Sequence, residues 1–268
     1  MCKKMYYSQL VEELLPHLLL PLSTEIADSF DQSLSPTPQV HFDQSIYLIL
    51  PLAYYNYEHC LVIYEDRMAL IAHRSSTISG MILSHYHHFD QPIYKETINL
   101  LLREHSATRH YKTPIANSEY SLFPLTNAQS PKTIWLNPAS ILDISTRPHE
   151  TIVHLFNKLS FRSPIESRSI RNNMYNSFMT HGIMKRDFTS TIVQEDMSLY
   201  EYLNLSYSKD IARVIENICY ADIPSKRGKF MEKYIDIYHE RTERDLTDPP
   251  HSPIYAYECR TKFRGTRK

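Results

Sequence analysis

Four glycines in 268 residues, Gly80, Gly182, Gly228 and Gly265, limit what this chain can build more than any other feature. Glycine lets a backbone turn through positive φ or approach a ligand without a Cβ in the way. P-loops and dinucleotide fingerprints need several glycines close together. Here they stand far apart, so phosphate cradles of those kinds are excluded, and a collagen repeat falls with them.

With 42% hydrophobic and 22% charged residues the chain is long and apolar enough for one large core with helical additions. Cys2, Cys60, Cys219 and Cys259 contain no close pair, which fits reduced intracellular thiols better than a disulfide framework or zinc site. Near the N-terminus an apolar run around Leu18-Leu19-Leu20 is broken by Glu12, Glu13, Pro16, His17 and Pro21. It is too short for a signal or transmembrane core, so a cytoplasmic protein with no membrane partner is expected.

The formal net charge is −1, but it is unevenly spread. Met5 to Asp66 holds nine acids and no Lys or Arg, whereas Leu101 to Ile192 holds 11 basic against 6 acidic residues. Arg260 to Lys268 adds five more basic residues. Such a split can orient a near-neutral protein on an anionic partner, although a solvated mixed-charge surface explains it equally simply.

Leu10, Leu14 and Leu18 space a helix over 5–20, and Thr24 to Val40 reads as a linker containing Pro36 and Pro38. Ile46–Ala53, His59–Tyr64 and Arg67–Ala72 read as a strand meander. Thr77–His105 reads as two helices, the second with Pro92 in its first turn. Strands follow at Tyr120–Phe123, Thr133–Leu136, Ile141–Ser145, Thr151–Phe156 and Leu159–Ser163, then helices at about Ser167–Thr180, Lys209–Tyr220 and Lys229–Arg241. Consecutive strands without intervening helices predict an α+β fold: a largely antiparallel sheet, packed helices and a helical C-terminal region. The expected division is an acidic extension over 1–44, a main domain over 45–188, a helical region over 189–245 and a basic tail over 246–268.

On the helix from Ser167, Ile170, Met174 and Phe178 share one arc and should be core. Arg168, Ser169, Asn172, Asn173 and Asn176 take the opposite arc, with Arg171 at its edge. Arg and Asn hydrogen-bond phosphates and base edges, so this face is a candidate nucleic-acid surface as well as an ordinary solvated one. Arg103, Arg109, His110 and Lys112 form a second basic stretch, equally explicable as cations at a helix C-terminus. His85, His87 and His88 invite a metal reading, but only Asp90 is near and a zinc site needs three or four ligands. Glu195-Asp196 reads as charge placed before a helix. No strand–turn–helix signature surrounds a serine. Neither an enzyme nor a cofactor is expected.

Leu122-Phe123-Pro124, Pro131 and Trp135-Leu136 together resemble the signature of the ComK-type competence transcription factors. The resemblance continues through Lys112-Thr113-Pro114-Ile115, through Thr151-Ile152-Val153 to Asn157, and through Pro164-Ile165 with Ser169, Asn172 and Tyr175. It covers about Ser45 to Phe188. Two departures stand out: Glu104 to Thr108 lacks the glycines the family has before the residue matching Arg109, and Asn157-Lys158 replaces its Asn-Gly turn.

The resemblance implies a non-enzymatic transcriptional activator of DNA-uptake genes. Such a protein binds A/T-rich double-stranded DNA as a homo-oligomer, reading the minor groove. It also implies control by a Clp-protease adaptor, which would contact a segment matching Met197 to Tyr200, here Leu199 and Tyr200. From charge and helix face, the expected DNA-facing residues are Arg109, Lys112, Arg168, Arg171, Asn172 and Asn176. The alternative is a protein–protein regulatory module of the same fold, and a more distant one is a metal-dependent enzyme using His85 and His88.

Overall fold

The computed structural model describes residues 36–105, 112–148, 150–190 and 192–247. Within them nine strands form two antiparallel sheets. Strands β1 (Ile46–Pro51), β2 (Cys60–Tyr64), β3 (Met68–Ile71), β4 (Ile115–Ala116), β5 (Ser121–Pro124) and β6 (Trp135–Leu136) make a six-stranded sheet in the order β3-β2-β1-β6-β5-β4. Strands β7 (Ile141–Arg147), β8 (Glu150–Leu155) and β9 (Ser160–Ser163) make a three-stranded sheet in sequence order. The predicted α+β class is what the chain adopts.

Strands β1 and β2 are buried at every position, which explains why they read as unbroken apolar runs rather than alternating ones. The meander closes with Ile49 opposite Val62 and Leu61 opposite Leu70. On its other edge β1 pairs with β6, Leu48 facing Leu136 and Ile49 facing Trp135. Asn137, buried just after β6, donates from its amide to the Ser45 hydroxyl at 3.1 Å and the Ile46 carbonyl at 3.0 Å. That one side chain fixes the join between parts of the chain far apart in sequence.

Helices α1 (Ser75–His87) and α2 (Gln91–His105) follow the meander. The break between them is chemical: His88 sits at φ 54°, and Asp90 accepts from the Ile93 amide at 3.0 Å, capping α2 ahead of Pro92. Helix α3 (Ser167–Phe188) runs about two turns beyond the predicted Thr180. Gly182 does not end it; a Cβ there would lie 3.1 Å from the Ile223 side chain, so the glycine admits close packing. Ile170, Met174 and Phe178 are fully buried, as their spacing predicted.

Helices α4 (Leu199–Tyr202), α5 (Lys209–Ile215) and α6 (Lys229–Thr247) complete the chain. The helix predicted over Lys209–Tyr220 stops at Ile215, and α4 and β4 are too short to leave a periodic signal. Leu199, Ile211, Ile223 and Phe230 belong to the same apolar cluster as the sheets, so the helical C-terminal region shares their core. Arg186, buried on α3, donates to the carbonyls of Ile223 at 3.3 Å and of Pro224 and Ser225 at 2.9 Å, tying that region down. The predicted helix over 5–20 and the basic tail from Arg260 lie outside the described residues.

Candidate nucleic-acid interface

At one end of the small sheet, Thr146 faces Thr151 and Thr151 faces Ser163, so three hydroxyl-bearing residues lie in one row. The next residue of β7, Arg147, is paired with Glu150 at the end of the hairpin. Immediately after β9 the chain passes through Pro164 into α3. The result is a groove of about 470 Å³ whose walls include Thr146, Arg147, Thr151, Ser167 and Arg168. A second groove of about 520 Å³ shares Ser163 and Pro164 as a common wall and is lined further by Thr126, Asn127, Lys132 and Arg162.

Four basic side chains, Arg147, Arg168, Arg162 and Lys132, line the two grooves together, against two acids, Glu150 and Glu166, in the wall of the first. Arg147 and Arg168 are exposed, and neither has an ion-pair partner among the described residues. Arg162 pairs with Glu150. The Lys132 ammonium lies 5.2 Å from the centre of the Tyr57 ring. Glu166, the residue before α3, is extended and its side chain does not cap the helix. The first amides of a 22-residue helix therefore open beside Arg168 without a side-chain cap, at the end where the helix dipole favours anions. Guanidinium, hydroxyl and amide donors in one groove are suited to phosphate oxygens.

The structure separates the residues expected from the sequence. Arg168 and Asn172 are exposed on α3, the first of them in the groove. Arg171 is committed elsewhere: its Nε donates to Asp210 Oδ1 at 2.7 Å, and Asp210 is nearly enclosed. Asn176 is half-buried and its carbonyl accepts the Thr180 hydroxyl at 2.7 Å. Lys112 donates to the Leu125 carbonyl at 2.5 Å, and partial burial lowers its pKa, so it pins the chain before β4 to the end of β5. Arg109 lies outside the described residues. Leu199 is fully buried, so as folded it offers nothing to an adaptor; Tyr200 is half-buried beside it.

Arg147, Lys132 and Arg162 are the groove cations that sequence reasoning passed over. One signal was available. Between two strand-like runs, Thr146-Arg147-Pro148-His149-Glu150 reads as a hairpin tip, and an arginine beside a tip must project from the sheet. The residues that carry the family resemblance have a different place. Phe123 faces Leu136 and Pro124 faces Trp135 across β5 and β6, all four buried. They are core, not surface.

His154 sits between Ser145, 3.1 Å from its Nε2, and Ser160, 2.7 Å from its Nδ1. A neutral imidazole donates through one nitrogen and accepts through the other, so the ring ties β7 to β9 across β8. The histidines of α1 do not converge: His85 stacks on Phe42, while His87 packs against Phe89 and Phe188. Among the described residues no group of three or more His, Cys, Asp or Glu could hold a metal ion, and no helix is long and apolar enough to cross a membrane. Comparison with protein-family models, with curated proteins and with solved structures finds no match to this chain.

Proposed function

We propose that this chain is a cytoplasmic DNA-binding transcriptional activator of the competence type, recognising A/T-rich duplex DNA as a homo-oligomer and carrying no enzymatic activity. The observation that carries the reading is that Arg147 and Arg168, both exposed and without an ion pair among the described residues, line one groove with the hydroxyls of Thr146, Thr151, Ser163 and Ser167, while Glu150 in the same wall is engaged by Arg162. The ordered run of residues resembling the family, from Lys112 through Trp135 to Tyr175, supports it from the sequence side. A single such groove contacts few phosphates. Affinity from one chain should be modest and strongly salt-dependent, which is why repetition by oligomerisation belongs to the reading.

The test is a fluorescence-anisotropy titration of the full chain against two duplexes of equal length, one with paired A/T boxes and one G·C-rich, at several salt concentrations. Preference for the A/T duplex with a salt slope worth several phosphates is the expected result. Equal weak binding to both would leave generic electrostatics. Absence of binding at low salt would favour the protein–protein regulatory reading, which the nine acids between Met5 and Asp66 and the net charge of −1 support. Adaptor control through Leu199 and Tyr200 stays part of the proposal only if α4 opens, since Leu199 is buried when the helix is docked.

A further inference from the structure

We propose that the β1–β2 loop and the groove beside it form a site for single-stranded nucleic acid. In this assignment Tyr57 and Tyr54 stack on unpaired bases, and Lys132 with the hydroxyls of that groove holds the phosphates. The site uses neither Arg147 nor Arg168, so it stands beside the duplex reading rather than on it.

Beyond Pro51 and Cys60, the last rung of the β1–β2 pair, the loop carries three tyrosines and a histidine within the seven residues 53–59. Two neighbours there are left-handed without being glycine, Asn56 at φ 52° and Tyr57 at φ 62°. Asparagine tolerates that region, but a bulky ring-bearing residue in it is strained. Backbone hydrogen bonds hold the conformation: the Asn56 amide donates to the Ala53 carbonyl at 2.8 Å, Tyr57 to Leu52 at 2.9 Å and Glu58 to Tyr55 at 3.0 Å. Glycine would make the same turn without strain. Burial does not explain the rings either. None of Ala53–Tyr55 is buried, Tyr54 is 36% exposed, and Tyr57 is half-buried and outside the apolar cluster. Strain retained at a residue that fills no core points to a functional constraint.

The neighbours of these rings identify the ligand. Lys132 belongs to both parts of the site: its ammonium lies 5.2 Å from the centre of the Tyr57 ring, and it lines the groove of about 520 Å³ with Thr126, Asn127, Ser130 and Ser163. Among the described residues no acid lines that groove. Glu58, the acid of the loop, is held by Arg74 through both carboxylate oxygens. Tyr55 stands edge-on to Tyr54 at 5.0 Å and stacks on His59 at 4.2 Å, which braces the exposed ring. Aromatic faces beside a groove of cation and hydroxyl donors suit a single strand: rings stack on bases of any sequence while the donors follow the backbone. In a duplex the base faces are covered by neighbouring pairs, so only unstacked bases are open to tyrosine rings.

The experiment titrates the full chain into labelled oligothymidylate, labelled oligouridylate and the A/T-box duplex, read by fluorescence anisotropy. The unaltered chain should bind one or both single strands, with a salt slope of about −0.7 for each phosphate engaged. Tyr57→Ala should weaken that binding roughly tenfold, Tyr57→Phe should keep it, and neither should move the duplex affinity. Tyr57→Gly should raise the melting temperature, because it relieves the left-handed position, and still lose the single strand. Full single-strand affinity in a folded Tyr57→Ala or Tyr57→Gly, or equal loss of single strand and duplex, would overturn the site. Absence of binding to both oligonucleotides while the duplex still binds would overturn the site and leave the duplex reading standing. Single strands bound and the duplex ignored would overturn the duplex reading alone.

Discussion

Arg171 and Asp210 are joined through a carboxylate that serves three elements at once. Asp210 Oδ1 accepts from Arg171 Nε on α3 at 2.7 Å, and its Oδ2 accepts from the Ile144 amide on β7 at 2.6 Å, while the residue itself lies on α5. Removing it leaves a backbone amide and a guanidinium without their acceptor. Asp210→Ala should therefore cost about 3 kcal/mol. Arg171 is 22% exposed and can turn to water, so Arg171→Ala should cost less, about 1–2 kcal/mol. Denaturant unfolding, followed through the single buried Trp135, checks both values.

The two arginines that α3 carries near its start should therefore behave differently. Charge reversal at Arg168 should leave the fold intact, because its side chain is exposed and no ion pair with another described residue holds it. It should lower the salt slope of DNA binding by about one unit. Arg171→Glu should instead lower the melting temperature, placing a second carboxylate against Asp210. Comparing near-ultraviolet circular dichroism with binding isotherms separates lost contact from lost structure. A salt slope unchanged in folded Arg168→Glu would remove this residue from the interface.

Lys158 closes the β8–β9 hairpin at φ 65°, with its amide donating to the Leu155 carbonyl at 3.0 Å. This is a left-handed position where a side chain is strained and glycine is not. Lys158→Gly should raise stability by roughly 0.5–1 kcal/mol, the reverse of what glycine does elsewhere in a strand or helix. Calorimetry with Lys158→Ala as a partner variant isolates the backbone effect from loss of the charge.

His181 is buried on α3, with its Nε2 3.3 Å from the Ser118 carbonyl. Burial, with the Lys185 ammonium one turn further on, pulls its pKa down to about 4 despite that carbonyl. An unfolded histidine titrates near about 6.5. Between those values the unfolded chain binds a proton that the folded chain refuses. The stability His181 contributes is thus complete above about pH 6.5 and is lost progressively towards pH 4, in total about 3 kcal/mol. Burial lowers the pKa values of His59 and His87 as well, which adds loss of the same sign. Unfolding curves at pH 7 and pH 5 should differ more for the unaltered chain than for His181→Gln.

The fold was legible in the sequence wherever burial imposed a period. Ile170, Met174 and Phe178 marked the inner face of α3, and the apolar runs at 46–53 and 59–64 marked strands covered on both faces. What escaped was set by tertiary contact. Nothing local says that α3 passes Gly182, because Ile223, some forty residues on, is what makes a glycine useful there. The site was less legible for the same reason. A helical wheel separates inside from outside, but it cannot say that Asp210 will claim Arg171 or that the Leu125 carbonyl will claim Lys112. Arg147 was missed because it reaches the groove from a hairpin tip, and a search along helix faces does not visit tips.

The join between β1 and β6 has a consequence for the birth of the molecule. Leu48 and Ile49 find Leu136 and Trp135 only after more than eighty further residues have been made. At about 5–20 residues per second, the meander waits roughly 4–17 s on the ribosome with one long apolar edge unpaired. That interval, rather than anything in the finished protein, is when a chaperone has most to offer this chain. It also explains why an acidic stretch running ahead of that edge is useful, since like charges keep neighbouring nascent chains apart.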